Sequence, residues 1–161
     1  MILESITTFL ADQGIPFTLL HHEPTRTSEE SARARGESIS IGGKAIVMKI
    51  ENEFKLFVLS AALKVDSKKI KEHLHAKNIR FATPEELFSL TGLVPGSVPP
   101  FGKPILNLPL YVDTSILQNE KIAFNAGSLT DSIIMKTEDY LRAAQSQRDF
   151  QAGIFEFGKT I

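Results

Sequence analysis

The sequence predicts an α+β fold, and three observations carry that expectation. Several β-rich runs are dispersed among short segments with helical spacing that have their own start and stop signals. The strand spacing of roughly 8–12 residues that marks a pure sandwich is missing. No repeat, low-complexity tract or linker divides the chain, so residues 1–161 are expected to form one domain.

Taken in order, Ile2, Ile6, Phe9 and Leu10 fall on one helical face and predict an opening helix that ends near Gly14. Phe17 to His21 reads as a short strand. Thr27-Ser28-Glu29-Glu30 has the reciprocal pattern of a capping box and predicts a helix to about Arg35, stopped by Gly36. Lys44–Ile50 and Phe54–Leu59 form a predicted hairpin around Glu51-Asn52-Glu53. Asp66 caps a helix to about Leu74, with Lys68, Lys69 and Lys71 on its solvated side. Thr83-Pro84-Glu85-Glu86 is the clearest helix start, with a cap, a first-turn proline and a closing glutamate. Gly92–Gly102 holds too much Gly and Pro for regular structure. Strands follow at Leu110–Val112, Lys121–Asn125 and Ser132–Lys136, and a final helix starts at Thr137 with Glu138 and Asp139 placed well against its dipole.

Composition narrows the function classes. Apolar residues are 42% and charged residues 23%, the proportions of a globular protein able to bury a core without staples. There is no Cys, which excludes disulfides, thiolate nucleophiles and thiolate metal ligands. The start lacks a signal-peptide pattern, and no apolar run nears the roughly 18 residues of a membrane span, so a cytoplasmic protein without a membrane partner is expected. A net charge of −1 gives no global attraction for nucleic acid, so any such contact must be local.

Three segments could carry chemistry. Lys44 is in phase with Ile46, Met48 and Ile50 if its strand is regular, which puts an ammonium at the rim of an apolar face after Gly42-Gly43. If the strand starts one residue later, Lys44 simply meets solvent. In Gly92–Gly102 the prolines lock φ and the glycines allow close approach, and the amides of Gly96, Ser97 and Val98 are expected to be free donors for a substrate carbonyl or oxyanion. A structural crossover loop is the other reading of that composition. Asn125-Ala126-Gly127-Ser128 follows a strand and is small enough for a ligand to approach, or is a plain turn. Lys64, Lys68, Lys69 and Lys71 make either a phosphate-facing patch or a solvated helix face.

Other chemistries find no support. His21-His22 point to opposite faces of a strand end, and His73 and His75 have the wrong spacing for joint ligation on a helix. Zinc-protease, nucleophile-elbow, P-loop and dinucleotide patterns are missing, and neither a metal nor a cofactor is expected.

In order, His22-Glu23-Pro24, Thr27–Ala32, Lys44–Lys49, Val65–Lys69, Arg80–Leu87, Gly92–Gly102 and Asn125–Ser128 resemble the YbaK/prolyl-tRNA-editing family, over about His22 to Leu141. The glycine-to-proline loop is the most specific piece. The opening helix and the tail beyond about Gln145 carry nothing diagnostic. The resemblance implies a mixed curved sheet or pseudobarrel flanked by short helices, and hydrolysis of the ester between a misattached amino acid and tRNA. It implies a hydrolase acting in trans on the acceptor end of mischarged tRNA, on a small amino acid, with tRNA for proline one candidate and an aminoacyl-tRNA synthetase a candidate partner.

Carried over residue by residue, the resemblance makes Lys44 the functional lysine, and Gly96, Ser97 and Val98 the carbonyl and oxyanion donors. His22, Thr27, Pro100, Phe101, Asn125, Gly127 and Ser128 become substrate-binding, with Pro100 fixing the loop's shape. Some members carry a histidine where this chain has Asn125, and an amide cannot serve as a general base near neutral pH. Two further readings are a non-catalytic module that binds tRNA ends or a synthetase, and a hydrolase of another small ester or thioester.

Overall fold

The computed structural model describes residues 1–144 and 153–161. Helices α1 (Ile2–Asp12), α2 (Ser28–Arg35), α3 (Ser67–Leu74), α4 (Pro84–Thr91), α5 (Thr114–Leu117) and α6 (Thr137–Ala144) are all short. They surround three sheets. The largest has the order β5 (Ile79–Phe81), β2 (Gly43–Ile50), β3 (Glu53–Ser60), β6 (Leu110–Asp113) and β9 (Ile154–Phe155). β2 pairs antiparallel with both β3 and β5, whereas β3–β6 and β6–β9 are parallel. The second sheet has the order β1 (Thr18–His21), β8 (Asp131–Lys136), β7 (Lys121–Asn125), and β10 (Gly158–Thr160) pairs with β4 (Leu63–Val65). The fold is therefore α+β as expected. The sheets do not close into a barrel; an isolated parallel bridge from Gly42 to Ala123 joins the first two.

Local chemistry explains the helix starts. Thr27 and Thr83 each accept from the amide three residues on, at 3.1 Å, while Glu30 and Glu86 reach back to the cap amides. Asp66 accepts from Lys68 N, and each such cap is worth about 1 kcal/mol. Arg80 locks Glu86 with paired bonds of 2.7 and 2.9 Å, and this bond, first among the causes, brings its carboxyl down to about 2.

The β2–β3 hairpin is covered on both faces, and its two-residue alternation divides the core. Val47, Leu56 and Val58 join a large cluster with α1, β6, β7, β8 and α6. Met48, Ile50, Phe57 and Leu59 join a second cluster with Val65, Ile70 and Phe157. The C-terminal segment is thus structural: Phe157 is fully buried, and the buried Asp113 carboxylate accepts from the amides of Phe157 and Gly158 at 2.6 and 2.8 Å. Residue Gln145, where the uninformative tail was taken to begin, lies outside the described residues.

Candidate active site

A half-open cleft with about 550 Å3 of atom-free space, part of it open to solvent, lies between α2, the start of β2 and the glycine–proline loop. One wall is a single face of α2: Ser28, Ser31, Ala32 and Arg35 follow i, i+3, i+4, i+7 spacing. Gly42, Gly43 and Lys44 form the floor, and Gly96, Val98 and Asn125 face α2. β2 begins at Gly43, so Lys44 is inside the ladder, opposite Leu59, and in phase with Ile46, Met48 and Ile50 as the strand pattern required. Lys44 is half-buried, and its ammonium makes no ion pair or hydrogen bond among the described residues. Burial holds its ammonium below the ordinary lysine range, with Glu29 pulling the other way.

The loop differs from expectation in one donor. Ser97 N donates to Val94 O at 3.1 Å, closing a turn around Gly96 (φ +91°), and the Ser97 hydroxyl also bonds Val94 O at 2.8 Å. Ser97 is therefore a buried brace whose amide is already used. The amides of Gly96 and Val98 have no partner among the described residues, and both residues line the cleft. Asn125 Nδ2 donates to Gly96 O at 2.7 Å and Gly127 N to Ser97 O at 3.0 Å, which ties the loop to the end of β7.

Several expected binding residues are already engaged or lie elsewhere. Thr27 lines the cleft, but its hydroxyl caps α2. Phe101 is 2% exposed, packed edge-on against Phe9, Phe124 and Tyr140, so it is core. Pro100 is buried, and its carbonyl accepts from Tyr140 Oη at 2.6 Å. Gly127 (φ +80°) backs onto α1, where a Cβ would sit 2.5 Å from Ile2 Cγ2, and Ser128 bonds Thr130 in the following turn. His22 stands behind the cleft. Its Nδ1 faces the Glu23 carbonyl at 2.8 Å and so carries the proton, leaving Nε2 against Ser132 Oγ at 2.8 Å.

Arg35 and Ser132 were passed over by the sequence reading. Arg35 donates through Nε to Ser132 Oγ (3.0 Å) and through Nη2 to Asn125 Oδ1 (3.1 Å). It forms no ion pair among the described residues, and burial lowers it to about 10, still charged at neutral pH. The available signal was the α2 pattern itself: small and polar residues at i, i+3 and i+4, then a cation at i+7, leave this face with no apolar stripe to bury.

Beyond the loop runs a second, apolar groove lined by Val47, Phe81, Pro84, Leu87 and Pro95, which shares Ala45, Gly96 and Val98 with the cleft. Phe81 stays 54% exposed there. Among the described residues no three His, Asp or Glu side chains are gathered to hold a metal ion.

Two recesses that meet at backbone amides unpaired among the described residues, one of them floored by a lysine, define an α+β protein of the class with a polar cleft beside an apolar groove. Comparison with known proteins gives that class its family. The profile of the aminoacyl-tRNA editing domain matches residues 22–143, and the chain belongs to that family. It is 34% identical over 150 residues to the multifunctional Ser/Thr-tRNA deacylase ProXp-y of Escherichia coli K12, covering 89% of each chain. It also matches the proline–tRNA ligase of Shouchella clausii at 33% identity over 101 residues, which is 63% of this chain but 18% of that enzyme. Among solved structures, a candidate trans-editing enzyme for prolyl tRNA synthetase superposes with a TM-score of 0.80 at 25% identity, covering 98% of this chain and 96% of the other. A hypothetical protein superposes with a TM-score of 0.82 at 23% identity, over 96% and 99% of the two chains. No helix among the described residues is long and apolar enough to cross a membrane.

Proposed function

We infer that this chain is a trans-acting aminoacyl-tRNA deacylase, a hydrolase of the ester joining a misattached small amino acid to tRNA. The carrying observation is that the unpaired amides of Gly96 and Val98 and the half-buried Lys44 line one cleft in a chain of the editing family. The E. coli relative named for Ser and Thr supports hydroxylated amino acids as the first substrates to consider, and the ligase similarity supports a synthetase as partner. The whole of residues 1–161 is taken as one editing domain working in the cytoplasm on the acceptor end.

In this reading the polar cleft takes the aminoacyl group and the apolar groove takes the adenosine, its base against Phe81, since aromatic faces stack on any base. The ester carbonyl lies at the loop between them. Addition of water opens that carbonyl to an oxyanion, where the amides of Gly96 and Val98 and the Lys44 charge stabilise the transition state more than the ground state. Collapse of the oxyanion then breaks the acyl C–O bond, and the departing ribose oxygen takes up the proton that water gives up. Asn125 has no basic atom, so its part is to hold Gly96 in place. The ester is already activated, so positioning supplies much of the rate.

Release of amino acid from a panel of mischarged tRNAs, by wild type and by Lys44→Ala, tests the reading. Turnover by wild type and its loss in the variant are expected. Intact tRNA binding with no hydrolysis of any aminoacyl ester would instead make the chain a binding module.

A further inference from the structure

We propose that Arg35 reads the side-chain hydroxyl of the amino acid being removed, and so sets a preference for Ser and Thr over Ala; this rests on the deacylase reading above. Arg35 closes the α2 wall of the cleft, and its guanidinium is clamped by Ser132 Oγ at 3.0 Å and Asn125 Oδ1 at 3.1 Å. Those bonds use Nε and Nη2. Nη1 has no acceptor among the described residues and points toward Gly42, 3.6 Å from where a Cβ on that glycine would lie. On its Gly42 side Nη1 is hemmed in by Ala61 Cβ and the Ile39 carbonyl, so a substrate atom reaches it from the cleft that Arg35 lines.

The clamp matters as much as the vacancy. Both partners are neutral, so the guanidinium keeps its full charge, and the two bonds fix its plane before any ligand arrives. Nη1 is not sealed from solvent, so water serves it in the free protein. An aminoacyl hydroxyl that displaces this water restores the hydrogen bond, whereas alanine displaces it and leaves the charged donor without an acceptor. A site that offers a donor to a substrate hydroxyl discriminates against the analogue lacking it far better than an apolar pocket discriminates by size. Ser28, Ser31 and Ala32 on the same wall leave room for a small side chain and add no competing cation. A terminal phosphate would also satisfy Arg35, but the apolar groove with the exposed Phe81 is the recess suited to the nucleoside, and it lies on the other side of the loop.

The experiment compares kcat/KM for Ser-, Thr- and Ala-charged forms of one tRNA, using wild type, Arg35→Gln and Arg35→Lys. Ratios within one variant cancel any loss of folded protein. Wild type should favour Ser and Thr over Ala by about 10- to 100-fold, the range for a hydrogen bond to a charged group. Arg35→Gln should bring the ratio to near one, and Arg35→Lys should recover part of it. A wild type with no preference for the hydroxyl overturns the proposal. So does a variant that slows all three esters by one factor, the result that a phosphate-binding or purely structural arginine would give. If wild type releases no amino acid from any tRNA, the deacylase reading itself fails; release without hydroxyl preference sinks only the role of Arg35.

Discussion

The two halves of the glycine–proline loop are held by opposite means. Gly96–Val98 faces the cleft and is held by polar bonds, Asn125 to Gly96 O and Gly127 to Ser97 O, with two amides left unspent. Pro99–Gly102 is buried, anchored by Phe101 among aromatic rings and by Tyr140 on Pro100 O. The contrast teaches a division of labour: the back half supplies stability, and the front half keeps donors available because something else holds the chain still.

Substitutions in the two halves should therefore affect different measurements. Phe101→Ala should have the largest effect, a loss of about 3–5 kcal/mol in denaturant unfolding, with kcat/KM per folded molecule little changed below the transition. A collapse of turnover in fully folded Phe101→Ala would erase the distinction. On the front side, Lys44→Ala should lower kcat/KM by about 100- to 1,000-fold, the range for removing a group that stabilises an oxyanion. Its stability should be unchanged or slightly higher, because burial disfavours the ammonium it removes. Tyr140→Phe should cost about 1–3 kcal/mol of stability by leaving the buried Pro100 carbonyl unpaired, and leave the Ser-to-Ala preference alone.

The smallest effect concerns pH. Lys44 is depressed in the folded chain, so between its folded and unfolded values the unfolded chain binds more protons, and stability rises with pH across that window. Substrate affinity should move the other way. An uncleavable amide analogue of aminoacyl-adenosine should bind more weakly as pH rises through a midpoint below the ordinary lysine value of about 10.4. Lys44→Arg should move that midpoint up, and a midpoint unmoved by this change would assign the titration to another group.

What was legible in the sequence follows the range of the interactions. The starts of α2, α3 and α4 were readable because a cap and its amide lie within three residues. The β2–β3 hairpin was readable from its alternation and one short turn. The parallel β3–β6 pairing, the β4–β10 pairing and the Gly42–Ala123 bridge join residues far apart in sequence, and no local pattern encodes them. The site divides the same way. Lys44, Gly96, Val98, Thr27 and Asn125 were named from the sequence and share the cleft. Phe101 was misplaced because an aromatic in a Gly/Pro loop has no periodicity to reveal its burial, and the rings around it come from α1, β7 and α6. Ser97 lost its donor role to a turn bond that composition does not specify. Arg35 was named only as the end of a predicted helix, and only the fold brings Asn125 and Ser132 to it.

The bridge at Gly42 has an evolutionary consequence. A Cβ there would lie 2.9 Å from Ala61 Cβ and 3.2 Å from the Ile39 carbonyl, so even alanine would crowd the segments before β2 and after β3. At Gly43 a Cβ would lie 2.6 Å from Ile122 Cδ1 of β7, so this part of the floor has little room for a side chain. The opposite wall has more room at Ser28, which is only partly buried, whereas Ser31 and Ala32 are buried and the Ser31 hydroxyl bonds Thr25 Oγ1 at 2.8 Å. A library that begins at Ser28 would vary the cleft with the least disturbance to the packing around it.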